Sequence, residues 1–145
     1  MLIKLIPKQI PLFWETIKYS CKQADALHQV NYQPYFNELL HALLSDKAQC
    51  FVRLDEKRVI LGMLITRFLG NKVTGEKEFR LQSAYSFQSQ PQEVWEKDFE
   101  VILDIALKTN CTKITFETSN PRLASLVTSI GCKEVSRLYE YVIGG

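Results

Sequence analysis

The run VILGMLITRFL, Val59 to Leu69, carries a single charged residue, Arg67, and is apolar almost throughout. It is too short to span a bilayer. Read as a strand, it presents apolar side chains to both sides, so it needs a covering layer on each face. That requirement excludes a one-sided sheet and sets the architecture sought in the flanking segments.

On both sides of this run the period is that of further strands. QCFVRLD (49–55) alternates, and DEKR makes a tight polar turn into the apolar run. LGNKVTGEK then reads as a hairpin loop with two glycines. EFRLQSAYSF (78–87) alternates again, which puts Phe79, Leu81, Ser83, Tyr85 and Phe87 on one face.

Helices supply the covering layers. Leu2–Ile6 is a short strand closed by Pro7. Pro11 suits the first turn of a helix, in which Phe13, Trp14, Ile17 and Cys21 recur at helical spacing. A second helix covers Tyr35–Leu44 with Phe36, Leu39, Leu40 and Leu43 on one face; ALHQVNYQP before it reads as a loop or a short irregular helix. From Pro91 to Lys108 the helical period returns, with Trp95, Phe99, Ile102 and Ala106 in one stripe. KITFETS is a strand. NPRLASLVTSIG is a short helix with Pro121 in its first turn and Gly131 at its C-terminal cap, and CKEVSRLYEYVI is a final alternating strand. The order β-α-α-β-β-β-α-β-α-β defines a single α/β domain over residues 1–145, with a mixed sheet and a parallel connection through the long helix.

Composition narrows the function. With 46% apolar and 23% charged residues the chain is an ordinary globular one. A net charge of +2, spread over distant positions such as Lys4, Lys18, Lys47, Arg58 and Lys113, gives no basic stripe for nucleic acid. Cys21, Cys50, Cys111 and Cys132 form no C-x-x-C pair, and His28 and His41 have no cysteine at ligand spacing. Reduced thiols and no metal site are expected. MLIKLIPKQI lacks the features of a signal peptide, and no apolar run reaches the length of a membrane span. A soluble, cytoplasmic protein is expected.

The segment ALKTNCTKITFETSNPRLASLVTSIGCKEV, together with the order of elements over essentially the whole chain, resembles the GNAT superfamily of acyl-CoA-dependent N-acyltransferases. Ala106, Cys111, Ile114, Asn120 and Gly131 fall at positions matching the family pattern. The resemblance implies a turn after the strand ending near Phe87 whose glycines let bare amides hold the pyrophosphate of acetyl-CoA. Here that turn reads Gln90-Pro91-Gln92-Glu93-Val94-Trp95. Gln90 matches, but Glu93 and Trp95 fill both glycine positions and Pro91 has no N–H to donate. With Gln90 as cap, Glu93 falls at the third helical position, where it would satisfy the free amides itself and repel a diphosphate. The tyrosine that the family often places four residues before the Gly is Val127 here, and Cys132 stands where phenylalanine is usual.

Two readings follow from the resemblance. One is a non-catalytic or cofactor-altered protein, similar to phage-encoded GNAT-like proteins. It needs no cofactor and acts through a protein partner or self-association, in the host cytoplasm or the virion. The other is an N-acyltransferase holding acetyl-CoA through the backbone of Ala84, Tyr85, Ser86 and Phe87, with Gln90, Trp95 and Asn120 as further contacts. Glu78 (or its neighbour Glu76) is the candidate base in that reading, and Tyr139 or Tyr141 the replacement acid. Each residue also has a plainer role: Trp95 as filling between helix and sheet, Glu78 as a solvated hairpin charge, the two tyrosines as core or rim aromatics, Asn120 as a helix cap and Cys132 as a small buried thiol.

Overall fold

The structure, a computed structural model, describes residues 1–24, 32–118 and 120–144. Five strands form one sheet in the order β1-β2-β3-β4-β5: β1 (Leu2–Lys4), β2 (Ala48–Leu54), β3 (Ile60–Gly70), β4 (Lys77–Ser86) and β5 (Lys113–Phe116). The first four pair antiparallel, and β5 joins β4 in parallel. The parallel pair is connected through α3 (Gln92–Lys108), as a parallel neighbour requires. α1 (Ile10–Ala24) and α2 (Gln33–Leu44) cover one face of the sheet; α3 covers the other, with α4 (Pro121–Ser129) beside it. The apolar run of β3 is thus covered on both faces, as its composition demands. The expected loop ahead of α2 falls mostly on residues outside the described ones.

Each face has its own core. Ile10, Ile17 and Cys21 of α1 meet Phe36, Leu39 and Leu43 of α2 over Cys50, Val52, Met63 and Ile65. On the opposite face Phe51, Phe79 and Leu81 pack against Ile102 and Ala106 of α3. Local chemistry sets the connections. Asp55 Oδ1 accepts from the amides of Lys57 and Val59, closing the DEKR turn at Arg58 (φ 63°). Asn120 caps α4 by accepting from the Arg122 amide at 2.9 Å, and Gly131 (φ 106°) ends it.

The structure overturns two expectations. The alternating set in β4 does not share one face. Ile65 pairs with Ser83 and Thr66 with Leu81, so Gln82 is an extra residue, a β-bulge. The bulge sends Phe79 and Leu81 toward α3, and Ser83 and Tyr85 toward α1. In addition, 132–143 forms no strand. Its alternation is present, but among the described residues it pairs with no strand, and none pairs with the outer edge of β5.

Candidate functional site

The bulge decides what lines the space between β4 and the helices α3 and α4. Ala84 and Ser86 now point to the α3 side, opposite Leu64 and Gly62 of β3. A cavity of about 60 Å³ lies there. Its floor is Leu2, Gly62, Leu64, Leu81 and Ala84; Trp95, Phe99 and Ile102 wall it from α3, and Leu123, Leu126, Val127 and Ile130 from α4. Gly62 permits close approach of β3 and β4, since a Cβ there would stand 3.2 Å from the Tyr85 carbonyl oxygen.

One ion pair stands in this apolar wall. Arg53 of β2 donates through Nε to Asp98 Oδ2 of α3 at 2.9 Å, through Nη2 to Asp98 Oδ1, and through Nη2 to the Val94 carbonyl at 3.2 Å. The side chains are 14% and 17% exposed. Burial lowers the Arg53 guanidinium from its ordinary value, and an arginine stays charged through the physiological range.

The turn from β4 into α3 is arranged around an acceptor. The Ser86 hydroxyl donates to the Gln88 carbonyl, and Gln90 Nε2 reaches the same oxygen at 3.4 Å. The Phe87 amide is committed to Leu61 O at 2.9 Å. The cap of α3 is Pro91 (φ −60°, ψ 154°) and not Gln90, so Glu93 is the second helical residue. No side chain caps the helix, which corrects the expectation that Glu93 would do so. The proline's fixed φ suits the extended cap conformation, while Gln90 turns back to Gln88. Gln92 Nε2 lies 3.4 Å from Ser129 Oγ and links the start of α3 to the last turn of α4.

Of the residues singled out in the sequence, Ala84, Tyr85, Ser86, Gln90 and Trp95 line this cavity. Phe87 does not: it stacks on Tyr19 (6.2 Å, 12°) and meets Tyr85 edge-on (5.1 Å), toward α1. The Tyr85 phenol is raised from its ordinary value, first by its hydrogen bond with Tyr19. Asn120 serves as a cap. Glu78 sits at the far end of β4 and takes hydrogen bonds from Thr115 and Arg80. Those contacts, the Thr115 hydroxyl first, hold its carboxyl below the usual range, the opposite of a base tuned to accept a proton. It is paired rather than a free hairpin charge. Tyr139 and Tyr141 are 82% and 92% exposed, so they neither face the cavity nor belong to the core. Sequence reasoning missed Arg53 and Asp98; 45 residues separate them, and no local pattern joins them.

The fit to acetyl-CoA can be judged from these residues. A ligand pocket has roughly 300–1,000 Å³, and this cavity has about 60 Å³. A diphosphate needs converging N–H groups at a helix start. Here the helix starts with a proline, carries an acidic residue in its first turn and follows a carbonyl-centred turn. A wider groove of about 330 Å³ lies between α1 and α2, but its lysines already sit over its rings, Lys18 over Trp14 (5.9 Å) and Lys22 over Tyr32 (5.2 Å). Among the described residues no group of three His, Cys, Asp or Glu is placed to hold a metal ion, and no helix is long and apolar enough to cross a membrane.

No protein-family model and no curated protein matches the sequence. Solved structures do match it in fold. A predicted acetyltransferase from Clostridium acetobutylicum with acetyl-CoA superimposes with a TM-score of 0.74 at 13% identity, covering 99% of this chain and 96% of that one. A ribosomal-protein-alanine N-acetyltransferase from Brucella melitensis gives 0.68 at 16% identity, with 99% and 98% covered. The aminoglycoside N-acetyltransferase AAC(6')-Iy in complex with CoA gives 0.67 at 15% identity, with 98% of each chain covered. The chain therefore has the GNAT acetyltransferase fold, and at these identities the likeness concerns the fold.

Proposed function

We propose that this chain uses the GNAT fold to bind a macromolecular partner and not to transfer an acyl group from acetyl-CoA, in the manner of the phage-encoded proteins it resembles, in the host cytoplasm or the virion. The start of α3 carries the reading. Pro91 offers no N–H where a phosphate would sit, Glu93 places negative charge beside it, and opening the turn would sever the Ser86–Gln88–Gln90 contacts. The size of the cavity supports the same reading, because about 60 Å³ lies well below the roughly 300–1,000 Å³ of ligand pockets. Val127, at the position of the family's tyrosine, lines the cavity with an aliphatic side chain and has no proton to give a departing thiolate.

A second reading, an acyl-CoA-dependent N-acyltransferase with an atypical site, is favoured by one observation. Ala84, Tyr85, Ser86, Gln90 and Trp95 converge on one space beside an α3 terminus that no side chain caps. Calorimetric titration with acetyl-CoA and with free CoA separates the two. The partner-binding reading expects no heat and no thermal shift at millimolar ligand. Micromolar binding that Trp95→Glu abolishes would establish the acyltransferase reading in its place.

A further inference from the structure

The groove between α1 and α2 is lined by helix residues and Tyr32, with no strand residue among them. At about 330 Å³ it reaches the lower end of the roughly 300–1,000 Å³ of ligand pockets. The sequence makes it cationic. Lys18 and Lys22 stand one turn apart on a single face of α1. Both line the groove, with Trp14, Phe36, Asn37 and Leu40, and no Asp or Glu does so. Rings hold the two ammonium groups in place. Lys18 lies 5.9 Å from the Trp14 centroid, and Lys22 lies 5.2 Å from that of Tyr32 and 5.6 Å from that of Phe36. An ammonium has three N–H donors, and a ring face engages one side of it, so donors remain for a ligand. Asn37 supplies another. Its Oδ1 accepts from Gln33 Nε2 at 2.6 Å, which leaves Nδ2 without a hydrogen bond among the described residues.

We propose that this groove binds a small monocarboxylate with an apolar body. The carboxylate sits between the ammonium groups of Lys18 and Lys22 and takes a further hydrogen bond from Asn37 Nδ2. The body lies against Leu40 and the edges of Trp14 and Phe36, whose rings meet edge to face at 6.0 Å. Charge selects the anion. Glu15 holds Lys18 at 2.9 Å from outside the lining, while Lys22 pairs with no carboxylate among the described residues. Two ammonium groups less one carboxylate leave a net charge of +1. That balances a monoanion; a phosphate monoester, with about −1.5 to −2 charges, would carry an excess beside Glu15. A neutral ligand would strip water from the ammonium groups without replacing it. Size sets the class as well, since the groove has room for roughly ten non-hydrogen atoms at ~30 Å³ each. It shares no residue with the cavity under α3, so its occupancy is independent of what the fold binds there.

The test is a chemical-shift titration of the nitrogen-labelled full chain with phenylacetate, a probe of that size. Saturable shifts are expected at the α1 and α2 amides around the groove and not in α3. Lys22→Met keeps the apolar stem of an exposed residue and removes its charge, so the fold is retained by circular dichroism. It is expected to weaken binding at least ~10-fold, as the loss of a charge-assisted hydrogen bond does. Asn37→Asp, also at an exposed position, sets a like charge beside the carboxylate and is expected to weaken binding as much. Phenylacetamide, of the same shape without the charge, is expected to bind at least ~10-fold more weakly than phenylacetate. Four results would overturn the proposal: no saturable shift at millimolar probe, equal affinity for phenylacetamide, unchanged affinity in folded Lys22→Met and Asn37→Asp, or tighter binding of phenyl phosphate than of phenylacetate.

Discussion

Arg53 and Asp98 join the second strand to the third helix across the wall of the apolar cavity, with Arg53 also bonded to the Val94 carbonyl one turn earlier. Removing one partner from so enclosed a pair leaves a charge with little water to solvate it, which costs about 3 kcal/mol. Asp98→Ala is therefore expected to lower the unfolding free energy in urea by about that amount. Replacing both, Arg53→Met with Asp98→Leu, is expected to recover most of the loss, because no charge is then stranded. A loss below ~1 kcal/mol for Asp98→Ala would mean that the pair behaves as a surface contact.

Gly62 faces Ser86 across the β3–β4 ladder, and an added Cβ would meet the Tyr85 carbonyl oxygen at 3.2 Å and Ser86 Cα at 3.8 Å. Both are backbone atoms in a paired strand, and the next amide along, Phe87, is tied to Leu61. The neighbours can yield little. Alanine normally gains about 0.5–1 kcal/mol over glycine inside a strand, but crowding against fixed atoms costs ~1–3 kcal/mol. Gly62→Ala is expected to be destabilising by about 1 kcal/mol, read from the shift of the urea midpoint at constant slope.

Residues that act on their own neighbours were legible in the sequence. Asn120, Pro121 and Gly131 punctuate α4 because a capping amide, a fixed φ or a left-handed conformation is a local property. The face of β4 was not legible, since alternation assumes a constant period and one extra residue, Gln82, reverses it from Ser83 onward. The same reversal sets Ala84 and Ser86 on the side of the cavity and turns Phe87 toward Tyr19. The arm 132–143 reads as a strand, but strand formation depends on a partner, and nothing in its own residues specifies one. Arg53 and Asp98 are joined only by the folded topology.

The four cysteines are expected to react in two classes. Cys21 and Cys50 are fully buried, and burial pushes the Cys50 thiol far above its ordinary value, with Cys21 adding to the effect. Since the thiolate is the reactive form, neither is expected to label with a thiol reagent until the chain unfolds. Cys111 and Cys132 are partly exposed. They are expected to label in the native protein, although burial raises the Cys132 thiol from its ordinary value. Mass spectrometry after native labelling reads this directly. Label on Cys50 in folded protein would show that the α1–α2 core opens.

The junction of β4 and β5 sets an acid response. Glu78 accepts from Thr115 and from Arg80, which also donates to Thr115 at 2.7 Å and to Glu117 at 3.0 Å. Glu38 accepts from both terminal nitrogens of Arg67, at 2.7 Å and 2.6 Å. Both carboxyls are held below the ordinary value of 4.5, Glu78 first by the Thr115 hydroxyl and Glu38 first by Arg67. A carboxyl depressed in the folded state adds stability above its unfolded value and loses it as pH falls through the folded one. The loss therefore falls below about pH 4.5 and not near neutrality. Glu78→Gln cannot titrate, so its unfolding free energy should lie below wild type at neutral pH and converge with it as the pH drops toward about 3. Glu38, 59% exposed on its side chain, should give a smaller difference in Glu38→Gln, because solvent screens an exposed pair. Denaturant titrations of the three proteins across that range measure the effect. A gap between Glu78→Gln and wild type that stays constant with pH would mean that the Thr115 and Arg80 contacts stabilise through packing, with no contribution from the ionised carboxylate.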